Sequence, residues 1–186
     1  MIDFTERVYG LGAMTERNFS EFLASRRSTR DFLSDSVPLE LIDELLKDAL
    51  TAPSWSNTRP FKVAIATGAQ RDRISNEFQR RWQVLSAALR GSIWKKLKLV
   101  INRQGLPTSN WKIAKPYVPE LRPRAERVGK ELYEMIGIQR GDRKARDEQW
   151  GKNYQFFGAP VAMFIYFHKS LDVFAASDAG LMLENL

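Results

Sequence analysis

The sequence contains no cysteine and a single histidine, His168, among its 186 residues. The lack of cysteine excludes disulfides, thiolate zinc sites, iron–sulfur clusters and a cysteine nucleophile. With one histidine, multi-histidine metal sites are also excluded, and any Ser-His-Asp triad would depend on that imidazole. We assign His168 no role, and we expect no metal site. Much of the common catalytic repertoire is therefore absent.

Long apolar runs are also missing. The run Val161–Phe167 is far shorter than the ~20 residues that a membrane helix needs. The first residues carry acids and lack the apolar core of a signal peptide, so we expect a cytoplasmic protein without membrane contact. Hydrophobic residues make up 44% and charged residues 27% of the chain. This composition is typical of a globular domain with a core of its own.

Positive charge is concentrated in the middle of the chain. Residues 71–152 contain 20 basic and 9 acidic side chains, whereas the rest contains 9 basic and 13 acidic ones. The same segment holds four of the five tryptophans. A basic, aromatic segment can indicate nucleic acid, an anionic ligand or a solvated surface. Because no nucleic-acid motif accompanies it, we expect no nucleic-acid partner and favour an anionic small molecule.

The apolar spacing predicts helices and two buried strands, which favours an α+β or α/β layered domain. Residues 1–17 are predicted to form an N-terminal arm and residues 18–186 one domain, with the irregular stretch 91–121 as a candidate lid. The predicted strands are Phe61–Thr67 and Val161–Phe167. The predicted helices cover residues 18–26, 38–52, 71–90, 124–138, 142–156 and 171–186.

Two polar clusters carry the candidate chemistry. The first, Arg26-Arg27-Ser28-Thr29-Arg30, offers three guanidiniums, whose planar donors suit a phosphate; a solvated basic patch at a helix end is the alternative. The second lies within 53–61, between a helix and a strand. There Ser54, Ser56 and Asn57 offer donors and acceptors that could bind the edge of a heterocycle. A plain helix-to-strand turn would use the same residue types.

The order of these motifs is more specific than either cluster alone. The series RRSTRDF, VPLELIDELLKDAL and APSWSNTRPFKVAIAT resembles the FMN-dependent nitroreductase family, and NYQFFGAPVAMFIYF and AASDAGLMLENL are similar to later landmarks of that family. The resemblance covers residues 18–186 and is weakest over 91–121. It implies an α+β fold in which a mixed sheet is flanked by helices in three layers. Relatives continue beyond the last helix, so we expect this chain to lack the C-terminal portion.

The resemblance also implies a homodimer with FMN bound at the subunit interface. One subunit would hold the FMN phosphate and ribityl chain, and the other would approach the flavin with its polar loop. By this resemblance, the residues that would hold the phosphate and ribityl chain are Arg26, Arg27, Ser28 and Arg30. The residues that would approach the flavin from the other subunit are Pro53, Ser54, Ser56 and Asn57.

The implied activity is that of an NAD(P)H-dependent nitroreductase-type oxidoreductase. NADH or NADPH would give a hydride to flavin N5, and a nitroaromatic or related electron-poor acceptor would then be reduced in the same place, by a ping-pong mechanism. Residues 91–156 would form the acceptor pocket, in which Tyr133, Trp111 and Trp150 could stack on a flat aromatic substrate and Asn153 would lie near it. Packing in the core or in the dimer is the alternative for each aromatic. No catalytic acid is assigned.

Three alternatives remain at this stage. One is a C-terminally truncated, catalytically silent flavin-binding protein. Another is a flavin reductase or a reductive dehalogenase built on the same fold, since such activities differ mainly in the lid. The last is a nucleic-acid binder that uses the basic middle of the chain. Flavin absorbance and its response to NAD(P)H distinguish the first two classes from the third.

Overall fold

The computed structural model describes residues 19–91, 94, 97, 101 and 117–186. The chain divides into two compact units, Met1–Arg30 and Asp31–Leu186. In the first unit, helix α1 (Phe19–Ala24) ends where the Ser25 hydroxyl donates to the Phe22 carbonyl at 2.7 Å. The predicted arm, residues 1–17, lies outside the described residues.

The second unit contains the remaining helices and both strands. Each predicted strand has the expected bounds, and each predicted helix is present with ends shifted by a few residues. The elements are α2 (Leu39–Ala49), β1 (Phe61–Thr67), α3 (Gly68–Arg90), α4 (Arg122–Met135), α5 (Arg143–Gly151), β2 (Val161–Phe167) and α6 (Asp172–Glu184). None of the helices in the described ranges is long and apolar enough to cross a membrane.

Strands β1 and β2 pair antiparallel along their whole length, with Phe61 opposite Phe167 and Thr67 opposite Val161. Side chains alternate between the two faces of such a pair, so each face can bury its own apolar set. One face packs against α2 and α6. The core there consists of Ala49, Ala52, Phe61, Ala179 and Met182, with Val63, Ile165 and Phe167 partly buried against it.

The opposite face of the sheet packs against α3. Phe164 on this face makes edge contacts with Phe78 of α3 and with Phe156, at ring-centroid distances of 6.4 and 6.0 Å. Helices therefore lie against both faces of the described strands. This arrangement agrees with the predicted three-layer α+β architecture.

The predicted helix over 142–156 is shorter in the structure. Helix α5 ends at Gly151, and a 3-10 turn, Lys152–Gly158, follows it. Phe156 and Phe157 both have left-handed backbone, with φ of 54° and 52°. The Tyr154 carbonyl accepts a hydrogen bond from the Ser75 hydroxyl on α3 at 3.0 Å. The left-handed residues interrupt the helical path, and the Tyr154 carbonyl bonds to α3 instead of to the next turn of a helix.

Candidate functional site

The arginine cluster follows directly after α1 in the first unit. Arg26, Arg27, Ser28 and Arg30 are all exposed, and the Arg26 amide donates to the Leu23 carbonyl at 3.3 Å. Within the described part of this unit, residues 19–30, the acid Glu21 forms no ion pair with them. Three neighbouring guanidiniums that form no ion pair with a described residue have donors that suit an anion.

The polar loop lies between α2 and β1 and has an unusual backbone. A 3-10 turn covers Trp55–Asn57, and Ser56, Asn57 and Arg59 have φ values of 50°, 53° and 44°. Left-handed conformation is uncommon for residues other than glycine, and each such residue costs of order 1–3 kcal/mol. The Ser54 hydroxyl accepts a hydrogen bond from the Arg59 amide at 2.9 Å. Contacts within the loop therefore offset part of the backbone strain.

A buried carboxylate on α6 holds this loop in place. The Trp55 amide donates to both oxygens of Asp178, at 3.2 and 3.1 Å. Asp178 is only 6% exposed, and a buried carboxylate needs such a donor because its water is lost. The sequence interpretation missed Asp178. Its one signal was a single acid within the otherwise small and apolar stretch 174–183.

The loop leaves several polar groups exposed to solvent. Pro53, Ser56 and Asn57 are exposed, and Ser54 is half-buried. Among the described residues, the side chains of Ser56 and Asn57 form no hydrogen bond. The fold fixes the backbone of the loop without using these two side chains, so they remain available for a ligand.

The predicted substrate residues Tyr133 and Asn153 both contact Trp150. The Trp150 indole donates to the Tyr133 hydroxyl at 3.2 Å, and the Asn153 amide donates to the Trp150 carbonyl at 2.9 Å. The Trp150 ring is 55% exposed and stacks on Trp82 at 6.4 Å. The structure thus brings these residues together, whereas Trp111 lies outside the described residues.

An open cleft of about 780 Å³ lies beside Tyr133. It is bordered by α4, by the turn that follows it and by α5. The guanidinium of Arg146 lies over the Tyr133 ring, 4.9 Å from its centroid. The lining residues are Glu126, Gly129, Lys130, Tyr133, Glu134, Gly137, Ile138, Gln139, Arg140 and Arg146. Nothing in the sequence distinguished Arg146, which stands in a run of charged residues.

Part of the excess positive charge is neutralised by local ion pairs. On α3, Arg80 donates two hydrogen bonds of 2.8 Å to the Glu77 carboxylate and Arg81 donates another of 2.7 Å. These hydrogen bonds lower the pKa of Glu77 to about 2, and those from Arg80 have a larger effect than the one from Arg81. Arg90 also pairs with Asp147 at 3.2 Å. Some of the basic residues are therefore paired with acids of the same chain. This agrees, for those residues, with the alternative that the basic segment is a solvated surface.

The candidate residues show no metal-binding arrangement. Within residues 19–91 and 117–186, no group of three acids or histidines could hold a metal ion. The exposed His168 ring nitrogen Nδ1 lies 2.7 Å from the Ser170 hydroxyl at the end of β2. This local contact agrees with the interpretation of His168 as a surface residue.

Comparison with known proteins places this fold and these motifs in a family. The sequence profile of the nitroreductase family matches residues 23–186. The 4-nitrobenzoate reductase of Pseudomonas putida is 31% identical over 174 residues, which make up 94% of this chain and 68% of that protein. The nitrobenzene nitroreductase of Ectopseudomonas oleovorans is 25% identical over 166 residues, or 89% of this chain and 66% of that protein.

A solved structure gives the same result. The FMN-dependent nitroreductase NfnB from Mycobacterium smegmatis, in complex with NADPH, matches with a TM-score of 0.68 and 25% identity over 89% of this chain and 67% of that one. The fold thus defines the class, a layered α+β domain. The chain belongs to the nitroreductase family. The family prediction is confirmed, and with it the assignment to nitroreductase-type oxidoreductases. The chain spans about two thirds of the length of these relatives.

Proposed function

We propose that this chain is the FMN-binding part of an NAD(P)H-dependent oxidoreductase that reduces nitroaromatic acceptors. The observation that carries the proposal is the loop between α2 and β1. Its strained backbone is tied to the buried Asp178 while the Ser56 and Asn57 side chains stay unused and exposed. Strain that a fold maintains in this way is typical of binding and catalytic loops. The family match and the FMN-dependent, NADPH-bound neighbour support the same function.

The residues present fit a phosphorylated flavin. Arg26, Arg27 and Arg30 offer exposed guanidiniums for the FMN phosphate and ribityl chain, and Ser28 adds a neutral donor. The polar loop of the second subunit would contact the flavin ring of that same FMN molecule. The loop residues proposed for this contact are Pro53, Ser54, Ser56 and Asn57.

When bound, FMN would supply the redox chemistry that carries a hydride from NAD(P)H to the acceptor. The protein then has to orient the reactants and exclude water. Trp150 and the Tyr133 hydroxyl present an exposed, hydrogen-bonded aromatic pair that can position a flat acceptor. Asn153 supports this pair through the Trp150 carbonyl. We propose residues 91–156 as the acceptor region.

A homodimer is part of the proposal. In the second unit, the rings of Trp55 and Phe174 lie 4.6 Å apart, and they remain 59% and 53% exposed. Leu181, seven residues after Phe174 and on the same face of α6, is 44% exposed. Neighbouring apolar side chains that stay in water indicate a surface made for a partner. The continuity of this surface with the loop at Trp55 supports a second copy of this chain as that partner.

The test is anaerobic spectroscopy on the chain purified in the presence of FMN. We expect a yellow dimer whose flavin absorbance bleaches on addition of NADPH or NADH and returns when a nitroaromatic is added. A yellow protein that does not bleach would replace this proposal with the silent flavin binder. A protein that remains colourless after incubation with FMN would contradict the flavin site.

A further inference from the structure

We infer that the cleft beside Tyr133 is a subsite for the carboxylate of an aromatic acceptor, and that Arg146 is the residue that binds it. This inference rests on the proposed function and deepens it, because it specifies an acidic nitroaromatic as the acceptor. It depends on three observations. The Arg146 side chain has an unpartnered donor, the Tyr133 ring packs against its guanidinium, and the side chains that line the cleft carry more positive than negative charge.

The Arg146 side chain has an unused hydrogen-bond donor. Its Nε is buried and has no hydrogen-bond partner among residues 19–91 and 117–186. A buried N–H group without an acceptor costs about 1–3 kcal/mol, more when it is charged. Such groups are rare in folded proteins, and a ligand that supplies the acceptor removes the cost. The planar guanidinium matches a carboxylate, which can accept two parallel hydrogen bonds.

The surroundings of Arg146 suit a flat ring that carries the carboxylate. The Tyr133 ring lies against the guanidinium at 4.9 Å, which keeps Arg146 in position and adds an aromatic wall. The cleft volume, about 780 Å³, lies within the range of small-molecule sites. Trp150 contacts the Tyr133 hydroxyl from the side. An aromatic ring can therefore lie beside these side chains while its acid group meets Arg146.

The charges that line the cleft leave a surplus of cations. Lys130 and Glu134 pair with each other at 3.7 Å. Of the other charged lining residues, Arg140 and Arg146 are cations and Glu126 is an acid. An anion is therefore the ligand that balances this surface.

The experiment compares two acceptors that differ in the acid group, 4-nitrobenzoate and nitrobenzene. In Arg146→Gln we expect KM for 4-nitrobenzoate to rise about ten- to a hundredfold, the range for a hydrogen bond to a charged group. KM for nitrobenzene and both kcat values should change less than twofold. Arg143→Gln is the matched control, because Arg143 is an exposed arginine of the same helix that does not line the cleft. Arg146→Lys should bind 4-nitrobenzoate more tightly than Arg146→Gln but more weakly than the wild type, because lysine keeps the positive charge and lacks the two parallel donors of the guanidinium.

Calorimetry with benzoate, which cannot be reduced, tests the subsite independently of catalysis. We expect benzoate to bind the wild-type chain and the Arg143→Gln variant, and to bind Arg146→Gln at least tenfold more weakly. Gly129→Leu should also weaken benzoate binding with Arg146 intact, because a side chain at Gly129 enters open space in the cleft.

The two proposals fail in different ways. If the wild type reduces neither acceptor, the proposed function fails and the benzoate titration still decides the subsite. If Arg146→Gln changes both acceptors equally, or changes neither, the carboxylate subsite is wrong while the reductase stands. Thermal unfolding of each variant shows whether a loss of binding comes from a loss of folding.

Discussion

The Asp178 carboxylate on α6 accepts a hydrogen bond from the Trp55 amide through both of its oxygens, at 3.2 and 3.1 Å. The two residues are 123 positions apart in the sequence. Their bond joins the last described helix to the loop that carries Ser56 and Asn57. Because Asp178 is only 6% exposed, the bond is shielded from competing water. The position of the candidate flavin loop therefore depends on a helix at the far end of the chain.

Replacing Asp178 measures how much this bond stabilises the unit. Asp178→Ala leaves the Trp55 amide without its acceptor, and we expect the free energy of unfolding to fall by about 1.5–3 kcal/mol, as for bonds to charged groups. Asp178→Asn keeps a neutral acceptor and should lose about half as much. Urea unfolding gives both values. Glu184→Ala, an exposed acid on the same helix, is the control and should stay within ~0.5 kcal/mol of the wild type. Equal stability of Asp178→Ala and Glu184→Ala would contradict the role of this bond.

Arg26 is the variant that tests the phosphate site. Arg26→Ala removes one exposed guanidinium from the cluster after α1, and we expect FMN binding to weaken by about 1.5–3 kcal/mol, the value of a hydrogen bond to a charged group. FMN titration followed by flavin fluorescence measures the change. Arg73→Ala removes the same charge from an exposed position on α3, and its FMN affinity should match the wild type. An Arg26→Ala protein that retains FMN normally would refute the assignment of the cluster.

The pKa of Glu77 predicts a pH-dependent contribution to stability. Bonds from Arg80 and then Arg81 lower this pKa from 4.5 to about 2 in the folded chain. A lowered pKa in the folded state means that the stabilisation is fully present above pH 4.5 and is lost as the pH falls towards 2. The urea midpoints of the wild type and Glu77→Gln should therefore differ at pH 7 and converge over this window. A Glu77→Gln difference that is constant from pH 7 to 2 would exclude this coupling.

The sequence predicted the strands better than the helix ends. Val161–Phe167 is a continuous apolar run after Gly158 and Pro160, so length and turn residues define it without knowledge of its partner. Helix α3 begins at Gly68, three residues before the predicted start at Arg71. Beyond the end of α5, the carbonyl of Tyr154 accepts a hydrogen bond from Ser75 on another helix. A contact between residues so far apart in the sequence cannot be predicted from the local spacing of apolar residues.

From the sequence, site residues can be proposed where residue type alone carries the chemistry. The arginine cluster and the polar loop were proposed because several donors fall within a few positions, and their role as a flavin site stays a prediction. Asp178 and Arg146 were missed because their importance comes from tertiary contacts, with the Trp55 amide in one case and the Tyr133 ring in the other. A lone acid on an apolar helix was a usable signal for Asp178, whereas an arginine in a charged run gave none.

Two glycines should respond in opposite directions to the same substitution. Gly158 precedes β2 with φ of +84°, and a Cβ there would lie 3.4 Å from the Phe32 carbonyl oxygen. The neighbouring Phe157 carbonyl accepts a hydrogen bond from the Phe32 amide at 3.2 Å, so the approach of the two segments is fixed. Gly158→Ala should therefore lower the free energy of unfolding by about 1–2 kcal/mol, the cost of left-handed backbone for alanine.

Gly129 provides the matched case, since it lies within α4 and a Cβ there meets nothing within 4 Å. Gly129→Ala should raise the free energy of unfolding by about 0.8–1 kcal/mol, the difference in helix propensity between the two residues. Urea unfolding of both variants and the wild type measures the two shifts. If Gly158→Ala raises the free energy of unfolding as Gly129→Ala does, the left-handed backbone at Gly158, and with it the path of the chain from α5 into β2, is wrong.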